Sequence, residues 1–106
     1  MIKLSKSCIS KTDKQAVKRV LDNEFLGMGP ETKRFETQLE EFFGRRVICT
    51  ANGTSALQIA LQSLGFKKGV EVLVPSITYL ASYQAITAAG YVPISCDVEL
   101  KSGNIS

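Results

Sequence analysis

No histidine occurs anywhere in the sequence. Ser-His-Asp and Cys-His nucleophile systems are therefore excluded within the chain, because each needs an imidazole to take the proton. Three scattered cysteines without histidine make no zinc set. Cys8, Cys49 and Cys96 are odd in number and widely spaced. That pattern suits the reduced thiols of a cytoplasmic protein better than a disulfide framework. Cys49 and Cys96 fall in apolar, strand-like runs and are expected in the core. No apolar stretch approaches the roughly 18 residues of a membrane span. No long apolar segment follows Met1-Ile2-Lys3-Leu4-Ser5-Lys6 either, so neither a signal peptide nor a membrane partner is expected. The Gly-x-x-x-x-Gly-Lys-Ser/Thr string of a P-loop is missing. There is no internal repeat and no low-complexity tract.

What is present suits a globular domain. A chain of 106 residues ordinarily makes one domain, and 44% apolar residues are enough for a core. Charge is unevenly spread. Residues 1–20 hold six basic side chains and one acidic one, whereas the remainder holds seven basic and nine acidic. A basic arm can touch nucleic acid or an acidic sugar nucleotide, but more often it is a solvated helix face. No aromatic interleaving or recognisable module supports a nucleic-acid partner.

The hydrophobic periodicity places the elements. Thr12-Asp13-Lys14-Gln15 predicts a capping box that opens a first helix, with Ala16, Val17, Val20 and Leu21 as its apolar stripe. Residues 23–30, with Gly27 and Gly29, read as a loop. They are no dinucleotide fingerprint, since a preceding strand and a third glycine are missing and Pro30 intrudes. Phe35, Leu39, Phe42 and Phe43 predict a second helix ending at Gly44. A strand at 47–50, a helix at 54–64, a strand at 71–74, a helix at 79–89 and a strand at 91–96 follow. Gly65 and Gly90 are placed to cap the two later helices. Alternating strands and helices predict parallel pairing through crossover helices, hence an α/β fold. Glu36 and Glu40, four residues apart, are expected to form a solvated acidic edge rather than a catalytic pair.

The most informative stretch is Asn52-Gly53-Thr54-Ser55-Ala56-Leu57. The apolar run Val47-Ile48-Cys49-Thr50 leads into it. Leu57, Ala60, Leu61 and Leu64 leave it at helical spacing. The first amides of a helix have no internal acceptor, and the helix dipole adds partial positive charge there. A phosphate at Gly53-Thr54-Ser55 would meet free amides and two hydroxyls. Asn52 and Gly53 would tolerate the unusual backbone angles of an anion nest. The alternative is an ordinary capped helix after a tight turn.

A longer pattern bears on that choice. Asn52-Gly53-Thr54 is followed by Gly69-x-Glu71-Val72-x-x-Pro75-Ser76-x-Thr78, then Ala89-Gly90-x-x-Pro93, then Asp97. Upstream stand Leu26-Gly27-x-Gly29-Pro30 and Phe35-Glu36. Taken together, from about residue 10 onward, the string resembles the sugar aminotransferases of the DegT/DnrJ/StrS type. These are pyridoxal 5'-phosphate (PLP) enzymes of the aspartate-aminotransferase fold. The resemblance implies a three-layer α/β/α PLP-transferase fold of type I, present here as the N-terminal portion of the large domain. Residues 1–30 would be an N-terminal helix and arm, and 31–106 the first part of the PLP-binding large domain. Gly53, Thr54 and Ser55 match positions that hold the cofactor phosphate. Tyr79 matches an aromatic position that stacks on the pyridine ring, where a flat face suits a flat, electron-poor ring. Without the resemblance, Tyr79 would read as a half-buried tyrosine at a strand–helix junction.

The chain departs from the family pattern in places. Val70 stands where the family usually has Asp, and Gln58 replaces a frequent His. The family's Schiff-base lysine, and the aspartate that pairs with the pyridine nitrogen, fall beyond position 106. None of the nine lysines matches the former. The expectation is therefore an N-terminal piece, inactive alone and binding PLP weakly or not at all. By the same resemblance, its parent would pass an amino group from an amino acid, glutamate as in the family, to a keto group of a nucleotide-linked sugar. The alternative is an inactive remnant or interaction module that keeps part of the fold. Strand edges left open in such a piece would recruit a second copy, so a homo-oligomer is expected.

Overall fold

The computed structural model describes residues 5–106. Met1–Leu4, including Lys3 of the basic arm, lie outside the described residues. The chain divides into two compact units, Met1–Ile48 and Cys49–Ser106.

The first unit is helical. Helix α1, Lys11–Asp22, starts from a capping box two residues earlier than the sequence predicts. Ser10 Oγ accepts from the Asp13 amide (3.1 Å), and the Asp13 carboxylate accepts from the Ser10 amide (2.7 Å). Thr12 cannot be the cap because it already lies inside the helix. Asp13 reaches back three residues to the Ser10 amide, the role that Gln15 was expected to play for Thr12. The Ser10 amide, and then its hydroxyl, hold the Asp13 carboxyl below its ordinary 3.8. Lys18 pairs with Asp22 at 2.6 Å across one turn. Helix α2, Pro30–Phe43, begins with proline, whose missing N–H is no loss in the first turn. It ends as the sequence predicts, at Gly44, which takes the left-handed φ of 63° and donates to Glu40 O. Neither helix contains a buried residue. Glu36 and Glu40 are half-buried rather than a solvated edge. Glu40 accepts from the Val47 amide at 3.2 Å and so pins the chain after the Gly44 turn.

The second unit contains the sheet and the core. Helix α3 is Gly53–Ser63, strand β1 Glu71–Pro75, helix α4 Ala81–Ala88 and strand β2 Val92–Cys96. The strands pair in parallel, with Glu71 opposite Val92 and Pro75 opposite Cys96. Bonds from Gly69 N to Gly90 O and from Ser76 N to Cys96 O, both 2.9 Å, extend the ladder at each end. Parallel neighbours need a crossover, which α4 supplies. It packs on both strands and on α3. Val74, Ala81, Ala85, Ile86 and Tyr91 are buried. Leu61 and Val72 are packed against this cluster. The Tyr91 hydroxyl donates to Leu61 O at 3.2 Å and ties α3 to the sheet. Gly90 turns the chain from α4 into β2 with a φ of 85°.

Two sequence expectations fail here. Residues 47–50 form no strand. A strand exists by pairing, and β1–β2 is the one sheet among the described residues. Their β-branched residues therefore find no ladder, and Ile48 is 78% exposed. Cys49 and Cys96 are half-buried rather than core residues. Cys96 Sγ lies 3.3 Å from Val74 O, beside the ladder. Among the described residues no helix is long and apolar enough to cross a membrane.

Candidate functional site

Within the second unit, α3 opens at the stretch that the sequence singles out. Asn52 is its N-cap, with φ −166° and ψ 172°, and its Oδ1 accepts from the Ser55 amide at 2.9 Å. Thr50 Oγ1 donates to Asn52 O at 2.9 Å, and the Ala56 amide donates to the same oxygen at 3.1 Å. Thr50, Asn52 and the first turn of α3 thus brace one another. Asn52 is extended and Gly53 helical, and neither adopts a left-handed angle. The expected nest of unusual angles is not formed, and the cradle is the plain start of a helix.

That geometry sorts the donors. The Ser55 amide is already engaged by Asn52. The Gly53 and Thr54 amides precede the first intrahelical bond and have no acceptor of their own. The Thr54 and Ser55 side chains are half-buried and Gly53 is exposed. A methyl group added at Gly53 would meet nothing within 4 Å, so no side chain crowds the start of the helix at that position. Two amides and two hydroxyls can therefore face an anion at the positive end of the α3 dipole.

Tyr79 lies between β1 and α4 and is 81% exposed. It is not the half-buried tyrosine that the isolated sequence suggests, and its ring is open to a planar ligand. Its carbonyl accepts from the Ser82 amide at 3.0 Å and starts the turn into α4. The Thr78 and Ser82 hydroxyls are 2.8 Å apart and hold the same turn. Gly53, Thr54 and Ser55 thus open α3, and Tyr79 stands just before α4, the helix packed against α3. Residue types alone do not reveal that Thr50 supports Asn52 or that Asn52 removes the Ser55 amide. Only Asn at the capping position hints at the second.

Comparison with known proteins bears on what this arrangement serves. The model of the DegT/DnrJ/EryC1/StrS aminotransferase family matches residues 7–106. A dTDP-4-dehydro-2,3,6-trideoxy-D-glucose 4-aminotransferase of Saccharopolyspora spinosa is 31% identical over 98% of this chain and 28% of its own length. A dTDP-3-amino-3,4,6-trideoxy-alpha-D-glucose transaminase of Streptomyces venezuelae is 40% identical over 74% of this chain and 21% of its own. Among solved structures, the sugar aminotransferase Spr1654 of Streptococcus pneumoniae in its PMP form is similar, with a TM-score of 0.86 at 29% identity. That match covers 99% of this chain and 27% of the other. An E. coli GDP-4-keto-6-deoxy-D-mannose-3-dehydratase with bound hydrated PLP gives 0.85 at 26%, over 97% of this chain and 28% of the other. The chain belongs to the DegT/DnrJ/EryC1/StrS aminotransferase family. It has the α/β fold of the PLP enzymes in that family and spans about 28% of the length of the first relative.

Proposed function

We propose that Cys49–Ser106 forms the cofactor-phosphate corner of a PLP-dependent aminotransferase acting on a nucleotide-linked sugar. The observation that carries the reading is the start of α3. Two amides without acceptors and two hydroxyls are presented there, in a chain of this family. Gly53 and Thr54 would hold the phosphate through their amides, and Thr54 and Ser55 through their hydroxyls. Tyr79 would cover one face of the ring. When bound, PLP supplies an electron sink for chemistry at the carbon bearing the amino group. The residues of this chain bind and orient. Asn52 keeps the Ser55 amide occupied, and Thr50 keeps Asn52 in place.

The same segment is shared by proteins described as sugar aminotransferases and by one described as a 3-dehydratase. That breadth supports assigning it to cofactor binding rather than to the choice of reaction. The finer reading is amino transfer from an amino-acid donor, glutamate by resemblance, in a cytoplasmic homo-oligomer. In it, residues 1–30 serve as helix and arm, and 31–106 as the first part of the PLP-binding domain.

The test separates ring from phosphate. PLP and inorganic phosphate are titrated against the chain and against Tyr79→Ala. Loss of stacking should weaken PLP roughly three- to tenfold and leave phosphate unchanged. Equal PLP affinity in both proteins would contradict the role of Tyr79. Borohydride reduction with mass analysis should give no stoichiometric pyridoxyl adduct on a single lysine. Such an adduct would show that the chain holds PLP covalently.

A further inference from the structure

The chain has three asparagines, Asn23, Asn52 and Asn104, and the residue after each differs in what it allows. An asparagine carboxamide can be attacked by the backbone nitrogen of the next residue. The attack needs a nitrogen not engaged elsewhere and a neighbour small enough for close approach. After Asn23, the Glu24 nitrogen donates to Leu21 O at 3.0 Å. After Asn104 comes the β-branched Ile105, held in a bridge with Val98. Only Asn52 is followed by glycine. The Gly53 amide precedes the first intrahelical bond and has no acceptor within α3. Asn52 and Gly53 are both exposed, so solvent reaches this link.

Neither conformation nor space demands a glycine here. Gly53 is helical and has no left-handed angle, and a methyl group added to it would meet nothing within 4 Å. The Asn52–Gly53 pair is therefore a reactive link that the helix start tolerates, not a turn that requires it. The cap restrains the reaction. Asn52 Oδ1 is held by the Ser55 amide at 2.9 Å, so the side chain must leave the cap before its Cγ can meet the Gly53 nitrogen.

We propose that Asn52 is a self-modification site: its carboxamide is lost by cyclisation onto Gly53, and the product closes the anion corner. The Gly53 nitrogen, its proton taken by hydroxide, bonds to Asn52 Cγ. The bond from Cγ to the carboxamide nitrogen breaks, and ammonia leaves. Water then opens the cyclic imide at one of its two carbonyls, leaving aspartate or isoaspartate. The net change is ammonia lost and water gained, with nothing oxidised or reduced. Aspartate caps a helix as well as asparagine does, and its charge suits the helix dipole. The helix therefore survives, but a phosphate arriving at its start now meets a carboxylate. This consequence rests on the reading of the α3 start as an anion corner, whereas the cyclisation does not.

The test is incubation of the full chain at neutral and mildly alkaline pH, followed by peptide mass analysis and an isoaspartyl methyltransferase assay. Asn52 should convert while Asn23 and Asn104 remain intact, and faster at the higher pH. A peptide of residues 50–56, which has no helix to cap, should convert faster than the chain. Gly53→Ala should keep Asn52 intact over the same interval, with the far-UV circular dichroism of the parent. Asn52→Asp, a mimic of one product, should also keep that spectrum but weaken inorganic phosphate about tenfold. An Asn52 that stays intact while the peptide converts, or a Gly53→Ala chain that converts as fast as the parent, would overturn the cyclisation. Equal rates in chain and peptide would refute the restraint by the cap. Unchanged phosphate affinity in Asn52→Asp would refute the closing of the corner. If the parent shows no phosphate shift at Gly53 and Thr54, the anion-corner reading fails and the closing with it, while conversion at Asn52 still decides the cyclisation.

Discussion

The two units of this chain hold their helices by different means. In Cys49–Ser106, α4 buries Ala81, Ala85 and Ile86, and Ile86 clusters with Val74 and Tyr91. In Met1–Ile48, α1 and α2 bury nothing and are bounded by local chemistry: the Ser10–Asp13 box, Pro30 at a helix start, and the left-handed Gly44. Packing energy grows with buried apolar area, whereas a cap is worth about 1 kcal/mol. The unit with a core can therefore keep a binding corner rigid. The unit without one is bounded by its caps and turns.

The sharpest way to break this contrast is to damage the core. Ile86→Ala should remove about 2–4 kcal/mol from the second unit, because the site is 3% exposed and its neighbours cannot fully collapse. Urea unfolding followed through amide signals from residues 53–96 measures this. An effect below about 1 kcal/mol would mean that the core is not what holds the unit. Tyr91→Phe removes only the hydroxyl that reaches Leu61 O and should cost about 1 kcal/mol by the same measurement. Asn52→Ala should cost about as much, with the loss confined to the first turn of α3. It also frees the Ser55 amide, so hydrogen exchange at Ser55 should rise.

The smallest effect lies in the other unit and depends on pH. The Ser10 amide and hydroxyl depress the Asp13 carboxyl in the folded state, so deprotonated Asp13 favours the helix. The contribution is complete above the ordinary carboxylate range, about pH 4, and is lost as pH falls through the depressed folded value. Helical signal from α1 should therefore decline on acidification below about pH 4, and Ser10→Ala should abolish that step. A step unchanged in Ser10→Ala would assign it to another carboxylate.

Much of the fold was legible because its signals are local. Phe35, Leu39, Phe42 and Phe43 at helical spacing with Gly44 behind them mark α2 and its end. The alternation of helix and apolar run from Leu57 to Cys96 marks the parallel pair. The misreadings concern partners. Val47-Ile48-Cys49-Thr50 has a strand's composition, but pairing is not a property of one segment. The Thr12–Gln15 box was a plausible spacing that lost to Ser10 and Asp13, two residues earlier and with a charged acceptor. At the candidate site, residue types single out Gly53, Thr54, Ser55 and Tyr79 as candidates. They do not reveal which amide is already taken, because that depends on which way the Asn52 side chain turns.

The central claim is that the start of α3 is an anion corner with two open amides. The direct measurement is a titration of the 15N-labelled chain with inorganic phosphate, read at every backbone amide. The account predicts that Gly53 and Thr54 shift together, with a single millimolar-range midpoint, while Ser55, held by Asn52, and the amides of α1 move little. No shift at Gly53 and Thr54, or equal shifts at the starts of α1 and α3, would contradict it.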